Sequence, residues 1–258
     1  MYIRYAGVFL VGIIIGFLGG LFGKGGSAIA TPMLSLIGIP GFVAIASPLP
    51  ATIPGTLIAS LEYRKSKLLD LKIVIWSIIA GIPASIAGSY LTDLTGSKPL
   101  LILTGLLVLG FGFSFLLYPH ERSGPVDTEE HSGPVQSVTW HIKLVLVAVF
   151  VGLISGLLAN SGGFLLAPSY SRFLGQPIKK AFACSLAVSM VLAIPGTIVH
   201  AFLGHIDWIV TLFLALGSVP LSYIGAKVAI HSKASRLERF YGILLALLGI
   251  VFLSKLWL

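Results

Sequence analysis

The sequence predicts an all-α integral membrane protein made of two inverted-topology repeats of about five segments each. Hydrophobic residues make up 56% of the 258 residues and charged residues only 10%, whereas soluble domains carry about 25% charged residues. The chain also contains one Gly-interrupted apolar pattern twice. The basic loops that follow this pattern alternate in opposite senses in the two copies, which predicts the inversion.

The duplication is visible by direct comparison. Residues 15–32 read IGFLGGLFGKGGSAIATP, residues 151–168 read VGLISGLLANSGGFLLAP, and a shift of 136 positions aligns them without a gap. From about residue 38 a shift of 137 keeps the match and places Asp70 on Asp207. Paired apolar units interrupted by glycine are typical of secondary transporters. We divide the chain into a first transmembrane repeat (1–118), a polar cytoplasmic linker (119–143) and a second transmembrane repeat (144–258).

Eight apolar runs approach the roughly 20 residues that a membrane span needs. They cover 6–23, 43–61, 71–91, 99–117, 144–159, 181–203, 208–230 and 240–257. Two shorter runs, 26–38 and 163–174, follow the paired glycines and are too short for independent spans. We predict that each forms the second arm of a broken or re-entrant helical hairpin at the start of its repeat.

The net charge of +8 sets orientation and does not indicate nucleic-acid binding, because the basic residues lie in short loops between apolar runs. The loop 62–72 is rich in Lys and Arg and is predicted to face the cytoplasm, whereas its counterpart at 204–207 carries neither. The next pair of loops, 92–98 and 231–239, shows the reverse bias. The sequence therefore predicts inverted halves with both termini outside and the linker inside.

Several smaller features have structural explanations. Glycines every fourth residue at 12–20, and the Ala148–Gly156 stripe, predict close helix packing. Asp70 and Asp207 precede equivalent segments and are predicted N-caps. Cys184 lies in an apolar run and is predicted to be a small buried residue. For His200 and His205, near an outer boundary, we retain two interpretations, proton sensing and interfacial packing.

The two glycine-rich breaks are the predicted substrate site. A helix that restarts after a break offers unpaired N–H groups and the positive end of its dipole, and glycine lets an anion approach that backbone. With inverted halves, the two hairpin tips enter from opposite sides and are expected to meet near the midplane. The predicted substrate-binding residues are Lys24, Gly25, Gly26, Ser27, Asn160, Ser161, Gly162 and Gly163 at the tips, and Thr52, Ser185 and Ser189 on the third segments.

Alternatives remain at these positions. The glycines serve either binding or packing, and Lys24 is either a substrate ligand or an interfacial anchor. The hydroxyls of Thr52, Thr56, Ser185 and Ser189 either line a pathway or bond to backbone carbonyls. We find no enzyme motif, no catalytic residues, no metal-spaced His or Cys cluster and no cofactor signature. A membrane accessory subunit, or an intramembrane enzyme without transport of its own, is the rival class.

The motifs resemble those of the TauE/SafE family of sulfite and organosulfonate exporters. The residues that carry the resemblance are Gly23-Lys24-Gly25-Gly26-Ser27 leading to Pro32, Gly162-Gly163-Phe164-Leu165 leading to Pro168, and the stretch from His200 through Gly204 to Asp207-Trp208, continued by Pro220 and Gly225. The chain departs from the family pattern in having Lys24, Ser27 and Asn160-Ser161 where apolar residues or glycines are usual.

The resemblance implies a multi-pass transporter of the cell membrane that moves small sulfur-containing anions such as sulfite or sulfonates. The expected partners are therefore a small anionic substrate and the lipid bilayer, and no nucleic acid. The sequence leaves open whether the protein forms a homo-oligomer. It also leaves open which anion is carried, in which direction, and with which coupling ion.

Overall fold

A computed structural model describes residues 2–23, 27–117 and 138–257, and every regular element in these ranges is an α-helix. The helices are α1 (Tyr2–Phe22), α2 (Ser27–Leu36), α3 (Gly41–Ala46), α4 (Pro48–Lys65), α5 (Leu71–Thr95), α6 (Ser97–Leu117), α7 (Val138–Leu157), α8 (Gly163–Phe173), α9 (Ile178–Phe202), α10 (Trp208–His231) and α11 (Ala234–Trp257). The predicted all-α membrane class is confirmed.

Seven stretches of the described chain are long and apolar enough to cross a membrane. The two short helices differ from them, because α2 has 10 residues and α8 has 11. At 1.5 Å per residue each is about 15 Å long, half the thickness of a hydrocarbon core. Large apolar side chains such as Leu10, Ile79 and Phe150 are exposed on the outside of the bundle, as a lipid-facing surface requires.

Some helix boundaries differ from the apolar runs. The predicted third segment is divided into α3 and α4 at Ser47, because Pro48 cannot donate a backbone hydrogen bond and begins a new helix. Helix α7 begins at Val138, before the apolar run that starts at residue 144. Its first turn includes His141, which lies between the rings of Trp76 and Trp140. These interfacial aromatic contacts extend the helix beyond its apolar part.

The helices pack in equivalent pairs, and each pair joins a helix of the first half to a helix of the second. Helix α1 packs on α10 and α7 packs on α5, while α4 lies against both α9 and α10 and α5 lies against α9. Helix α1 runs parallel to α10, since Gly12, Gly16 and Gly20 lie beside Leu214, Ser218 and Ser222 in the same order. Helix α7 runs parallel to α5 in the same manner, whereas α6 and α11 are antiparallel, with Gly112 beside Ala246 and Gly249 beside Leu109.

These contacts explain the predicted glycine stripes. A Cβ atom added at Gly16 would lie 2.3 Å from the Ser218 carbonyl oxygen, and one added at Gly156 would lie 2.0 Å from the Ser85 oxygen. Such distances are impossible, so the backbones approach closely only because the side chains are absent. The packing interpretation of the stripes is confirmed.

Among the described residues, most of the basic side chains lie at one end of the bundle, which we call the basic end. Three contacts define it: Lys180 pairs with Asp70 at 2.9 Å, Lys179 donates to the Ile230 carbonyl at 2.6 Å, and Arg172 donates to the Ser114 carbonyl at 2.7 Å. They bring together the starts of α5 and α9 and the ends of α6, α8 and α10. The opposite end holds Arg4, which donates to Gly38, and the α9–α10 turn.

Both predicted N-caps are present. Asp70 accepts from the N–H groups of Lys72 and Ile73, and Asp207 accepts from those of Ile209 and Val210. Capping by a carboxylate satisfies N–H groups that have no partner inside the helix. Cys184 is free and buried, as the sequence predicts.

Two glycines of α6 provide a direct test of close packing. A Cβ added at Gly112 would lie 2.4 Å from the Ala246 backbone nitrogen, whereas one added at Gly110 would have no neighbour within 4 Å. We therefore expect Gly112→Ala to destabilise the protein by about 1–3 kcal/mol through overpacking. The same change at Gly110 should be neutral or stabilise by up to about 1 kcal/mol. Thermal unfolding of the two variants in detergent measures the difference, and equal midpoints would contradict the α6–α11 contact.

Candidate functional site

Each repeat contains the predicted helix break. Helix α1 ends at Phe22, Gly23 follows with φ of +68°, and α2 begins at Ser27. Residues 24–26, which include Lys24, Gly25 and Gly26, lie outside the described residues. In the second copy α7 ends at Leu157, Ala159 has φ of +44° and Gly162 has φ of +77° before α8 begins at Gly163. Both breaks occur where the sequence predicts them.

The second break is entirely buried. Asn160 is 4% exposed and Ser161 is 0% exposed. The Asn160 backbone N–H donates to the Ser155 carbonyl and closes the last turn of α7, while its side-chain Oδ1 accepts from the Gly162 N–H at 3.2 Å. The N-cap residue of α8 is Gly162, which has no side chain to cap the helix, and the first N–H groups of a helix lack intrahelical partners and point toward the preceding break.

Side chains from other helices support the first break. The Ser185 hydroxyl on α9 donates to the Gly23 carbonyl, and the Tyr63 hydroxyl on α4 donates to the Gly20 carbonyl at 3.2 Å. These donors satisfy carbonyls at the end of α1 that have no intrahelical partner. A Cβ at Gly23 would lie 2.4 Å from the Phe182 Cα atom. The end of α1 therefore rests directly on α9 of the second repeat.

The two breaks do not meet at the midplane, which corrects our expectation. Gly20 lies beside Ser222, and Gly23 lies against Phe182 near the start of α9, toward the basic end. The Leu157 carbonyl accepts from Thr92, three residues before α5 ends toward the opposite end. The reason is length: α1 and α7 have 21 and 20 residues, about 30 Å, so each crosses the core before it breaks.

A small recess lies beside the last turns of α1, and its cavity volume of about 10 Å³ has room for about one water molecule. Four hydroxyl side chains line it, two from α4 and two from α10: Thr52, Thr56, Ser218 and Ser222. The remaining described lining is Ile15, Gly16, Gly19, Gly20, Gly55 and Leu186. Thr52, one of the predicted pathway residues, lines this recess, whereas Ser185 and Ser189 are not among the described residues that line it.

Every hydroxyl of the recess donates to its own helix. Thr52 donates to the Leu49 carbonyl, Thr56 to the Thr52 carbonyl and Ser222 to the Ser218 carbonyl, each at 2.8 Å, and Ser218 donates to Ala215. Of the hydroxyls for which backbone bonding was one of two interpretations, Thr52 and Thr56 make such bonds here.

Ser189 differs from the other hydroxyls. It is fully buried, and its Oγ has no hydrogen-bond partner among the described residues. Ser171, near the end of α8, is in the same situation. A buried polar group without a partner costs about 1–3 kcal/mol, so these two hydroxyls are donors that a ligand can use.

Sequence reasoning missed two groups of polar residues. Ser218 and Ser222 face the recess, and their spacing of four residues, the same as that of Thr52 and Thr56, is the signal that could have identified them. Glu238 was assigned to a loop, yet it lies in α11 and is 3% exposed. One turn later, Tyr241 stacks on Phe22, the last residue of α1, at 4.8 Å. No periodic signal distinguishes Glu238 from the exposed Arg236 and Arg239.

The described residues contain no group of three or more His, Cys, Asp or Glu side chains that could hold a metal ion. The described lining of the recess is uncharged. The arrangement offers backbone N–H groups, amide and hydroxyl donors and small residues, and such groups can donate hydrogen bonds to an anion.

Comparison with known proteins agrees with this architecture. The family model described as sulfite exporter TauE/SafE matches residues 8–252. The chain is 25% identical to the probable membrane transporter protein YunE of Bacillus subtilis over 256 residues, covering 93% of this chain and 94% of YunE. It is 25% identical over 260 residues to the probable membrane transporter protein MJ0441 of Methanocaldococcus jannaschii, covering 95% and 93% of the two chains.

A probable membrane transporter protein of Xylella fastidiosa is 26% identical over 251 residues, which cover 95% of this chain and 94% of that protein. No solved structure matches the chain. The family match spans both helix breaks and all the paired helices. The chain therefore belongs to the TauE/SafE sulfite exporter family and is a multi-pass membrane transporter.

Proposed function

We propose that this protein carries a small sulfur-containing oxyanion, such as sulfite or a sulfonate, across the cell membrane by alternating access. The observation that carries the proposal is the pair of equivalent helix breaks, each followed by a helix of half-membrane length. A broken helix inside a bilayer survives only where it is buried in protein or lines a water-filled cavity. Paired breaks of this kind hold substrates in transporters made of two repeats.

The chemistry of the breaks favours an anion. At the second break, the uncapped start of α8 combines N–H groups with the Asn160 amide and the Ser161 hydroxyl. At the first break, the sequence supplies Lys24, Gly25, Gly26 and Ser27 at the start of α2. An oxyanion with three oxygen atoms accepts several such bonds at once, and a helix N-terminus stabilises a nearby anion by about 0.3–1 kcal/mol.

Because the breaks lie toward opposite ends, we propose two successive anion positions rather than one shared position. One is at Asn160–Gly163, the other at Lys24–Ser27. The hydroxyls of Thr52 and Thr56, with Ser218 and Ser222, line the recess along the last turns of α1, the helix that precedes the Lys24–Ser27 position. Ser185, which holds Gly23, and the buried Ser189 complete the set of donors on α9.

Helix directions support the inverted repeat. The fifth segments, α6 and α11, are equivalent in the two copies yet run antiparallel, and the first segment of each copy runs parallel to the fourth segment of the other. With an odd number of crossings per half, both relations follow from inversion, and neither follows from two repeats of the same orientation. We propose repeats at 1–118 and 144–258, joined by a linker at 119–143.

The charge distribution supports an orientation. The basic end gathers Lys and Arg side chains from both halves, and such residues are enriched in cytoplasmic loops. We propose that the basic end faces the cytoplasm and that both termini lie outside. No observation on the described residues favours an enzymatic function, so transport is the single proposal.

Flux of sulfite through the purified protein in proteoliposomes tests the function. Replacing Lys24 by Met keeps the bulk of the stem and removes the charge, so we expect the apparent affinity to fall tenfold or more, about 1.4 kcal/mol. Lys72→Met is the matched control, because Lys72 is an exposed lysine at the start of α5. No flux in the parent would overturn the function; equal affinity in parent and Lys24→Met would make Lys24 an interfacial anchor.

The glycine before α8 gives a second test of the site. Gly162 has φ of +77° and a Cβ there would lie 3.2 Å from the Ser155 Cβ, whereas Gly204 has φ of +72° and open space around it. Alanine at either position costs about 1–2 kcal/mol of backbone strain. Only Gly162→Ala also narrows the break, so we expect it to lose most of its sulfite flux while Gly204→Ala retains it. Membrane insertion is checked in both, and equal flux would remove Gly162 from the site.

The inversion is tested by labelling single cysteines. Ser66 and Ile206 lie in equivalent loops at opposite ends of the bundle. In a Cys184→Ser background, an impermeant maleimide should reach Cys at 206 from outside and Cys at 66 only after permeabilisation. Labelling of both from the same side would contradict the inverted topology.

A further inference from the structure

Two contacts join the halves at opposite ends of the bundle, and they occupy equivalent positions in the repeat. At the basic end, Asp70 of the first half meets Lys180 and Cys184 of the second. At the other end, Asp207 of the second half meets Ser47 of the first. The shift of 137 places Asp70 on Asp207 and Ser47 on Cys184. We call these the basic-end contact and the far-end contact.

The backbone part of the two contacts is the same. The Asp70 N–H donates to the Cys184 Sγ at 3.3 Å, and the Asp207 N–H donates to the Ser47 Oγ at 2.9 Å. The chemistry that surrounds this bond differs. At the basic end Lys180 pairs with the Asp70 carboxylate at 2.9 Å. The residue equivalent to Lys180 is Val43, which cannot form an ion pair.

A histidine pair takes the place of the ion pair at the far end. The Nδ1 atoms of His200 and His205 are 3.1 Å apart, and the two side chains are 0% and 8% exposed. The His205 ring also stacks on Phe42 of α3, with centroids 4.3 Å apart and an interplanar angle of 2°. Because α3 belongs to the first half, this stack is a direct contact between the halves.

The geometry of the histidine pair allows it to bind one proton but not two. When both rings are neutral, one Nδ1–H donates to the other Nδ1. A first proton keeps that bond and makes it charge-assisted, which roughly doubles its strength. It also places a cation over the Phe42 ring, a favourable arrangement. A second proton would set two N–H groups and two like charges against each other at 3.1 Å, so the pair accepts one proton.

The surrounding elements bring few other charges. Helix α3 and the first turns of α4 carry no titratable side chain. Helix α10 brings Asp207, whose carboxylate is held by two backbone N–H groups, and α1 brings Arg4 and Tyr5. Asp93 near the end of α5 and Lys98 at the start of α6 belong to the same end. Imidazole is the side-chain type whose charge changes between pH 5 and 8, and His200 and His205 are the histidines that the described residues place in this region.

The basic-end contact does not respond in that range. Burial raises the pKa of the Asp70 carboxyl, but the hydrogen bond and charge of Lys180, with the N–H groups of Ile73 and Lys72, outweigh it, so the pKa lies below its ordinary value. A depressed carboxyl pKa means that the ion pair contributes stability above about pH 4 and loses it only as the pH falls through the folded-state pKa. The Asp70 carboxylate therefore stays charged from pH 5.5 to 8.

We propose that the His200–His205 pair is a one-proton binding site that closes the far-end contact between the halves and makes transport respond to pH at that end. The proposal rests on the alternating-access function proposed above, because separation of the halves at this end requires the Phe42–His205 stack to part. A bound proton stabilises the closed contact. A higher proton concentration at the far end then slows opening toward that side. The Asp70–Lys180 ion pair at the basic end is unaffected by this change.

The main experiment reads the contact itself and needs no transport. In a Cys184→Ser background, Ser47→Cys preserves the acceptor for the Asp207 N–H, since cysteine performs this role at position 184. Ser47 is fully buried, so alkylation of Cys at 47 by an impermeant reagent reports opening of the far-end contact. The alkylation rate is measured from pH 5.5 to 8 in this parent protein and in the same protein carrying His205→Gln. Dividing the second rate by the first removes the pH dependence of the thiol that both proteins share.

We expect the ratio of the His205→Gln rate to the parent rate to rise at least threefold from pH 8 to pH 6. His200→Gln should behave alike and serves if His205→Gln does not fold. His231→Gln, at the exposed end of α10, is the control and should leave the ratio flat. A flat ratio in both pair variants would overturn the proposal, whatever the outcome of the flux assay.

Flux then links the site to transport. We use isethionate, a sulfonate that stays ionised over this range, together with sulfite. Raising the far-side proton concentration tenfold should slow parent flux severalfold, and the pair variants should lose this dependence while they still transport. Transport with unchanged pH dependence in both variants would refute the proton site and leave the transporter function standing.

Discussion

The close approach of backbones across the two halves is the constraint on which the rest of the structure depends. Helix α1 has its tightest contacts with α10, and α7 has its tightest contacts with α5, so each half contributes its first segment to the other half. Water does not drive helices together inside a bilayer, and van der Waals contact between small residues must replace it. The glycine stripes supply that contact twice.

This exchange also makes the helix breaks tolerable. The end of α1 is bonded by Tyr63 from its own half and by Ser185 from the other. The second break instead uses its own Asn160 side chain and the closing bond to Ser155. In lipid an unsatisfied carbonyl or N–H costs several kcal/mol. The breaks can therefore exist only at places where the packing of paired helices brings donors and acceptors to them.

Much of the fold could be predicted, because the duplication, the glycine breaks and the Asp caps are local signals. The pairing of α1 with α10 could not, since it joins residues about 200 positions apart (Gly12 and Leu214) that share no local pattern. The depth of the breaks depends on helix tilt and on how far an apolar run continues, which composition does not fix. Burial of Glu238 and the approach of His200 to His205 depend on neighbouring helices. Ser218 and Ser222 carried a readable spacing that identifies the recess only once α10 is placed beside α1.

The parallel pairing of α1 with α10 has a consequence for biosynthesis. The glycine face of α1 enters the bilayer long before the ribosome has made its partner, and α5 likewise waits for α7. During that interval a groove suited to another backbone faces lipid or the insertion machinery. The nascent first half therefore lacks the packing partners of α1 and α5 and is not yet a folded domain. For α1 this interval lasts from its own synthesis until α10 is complete.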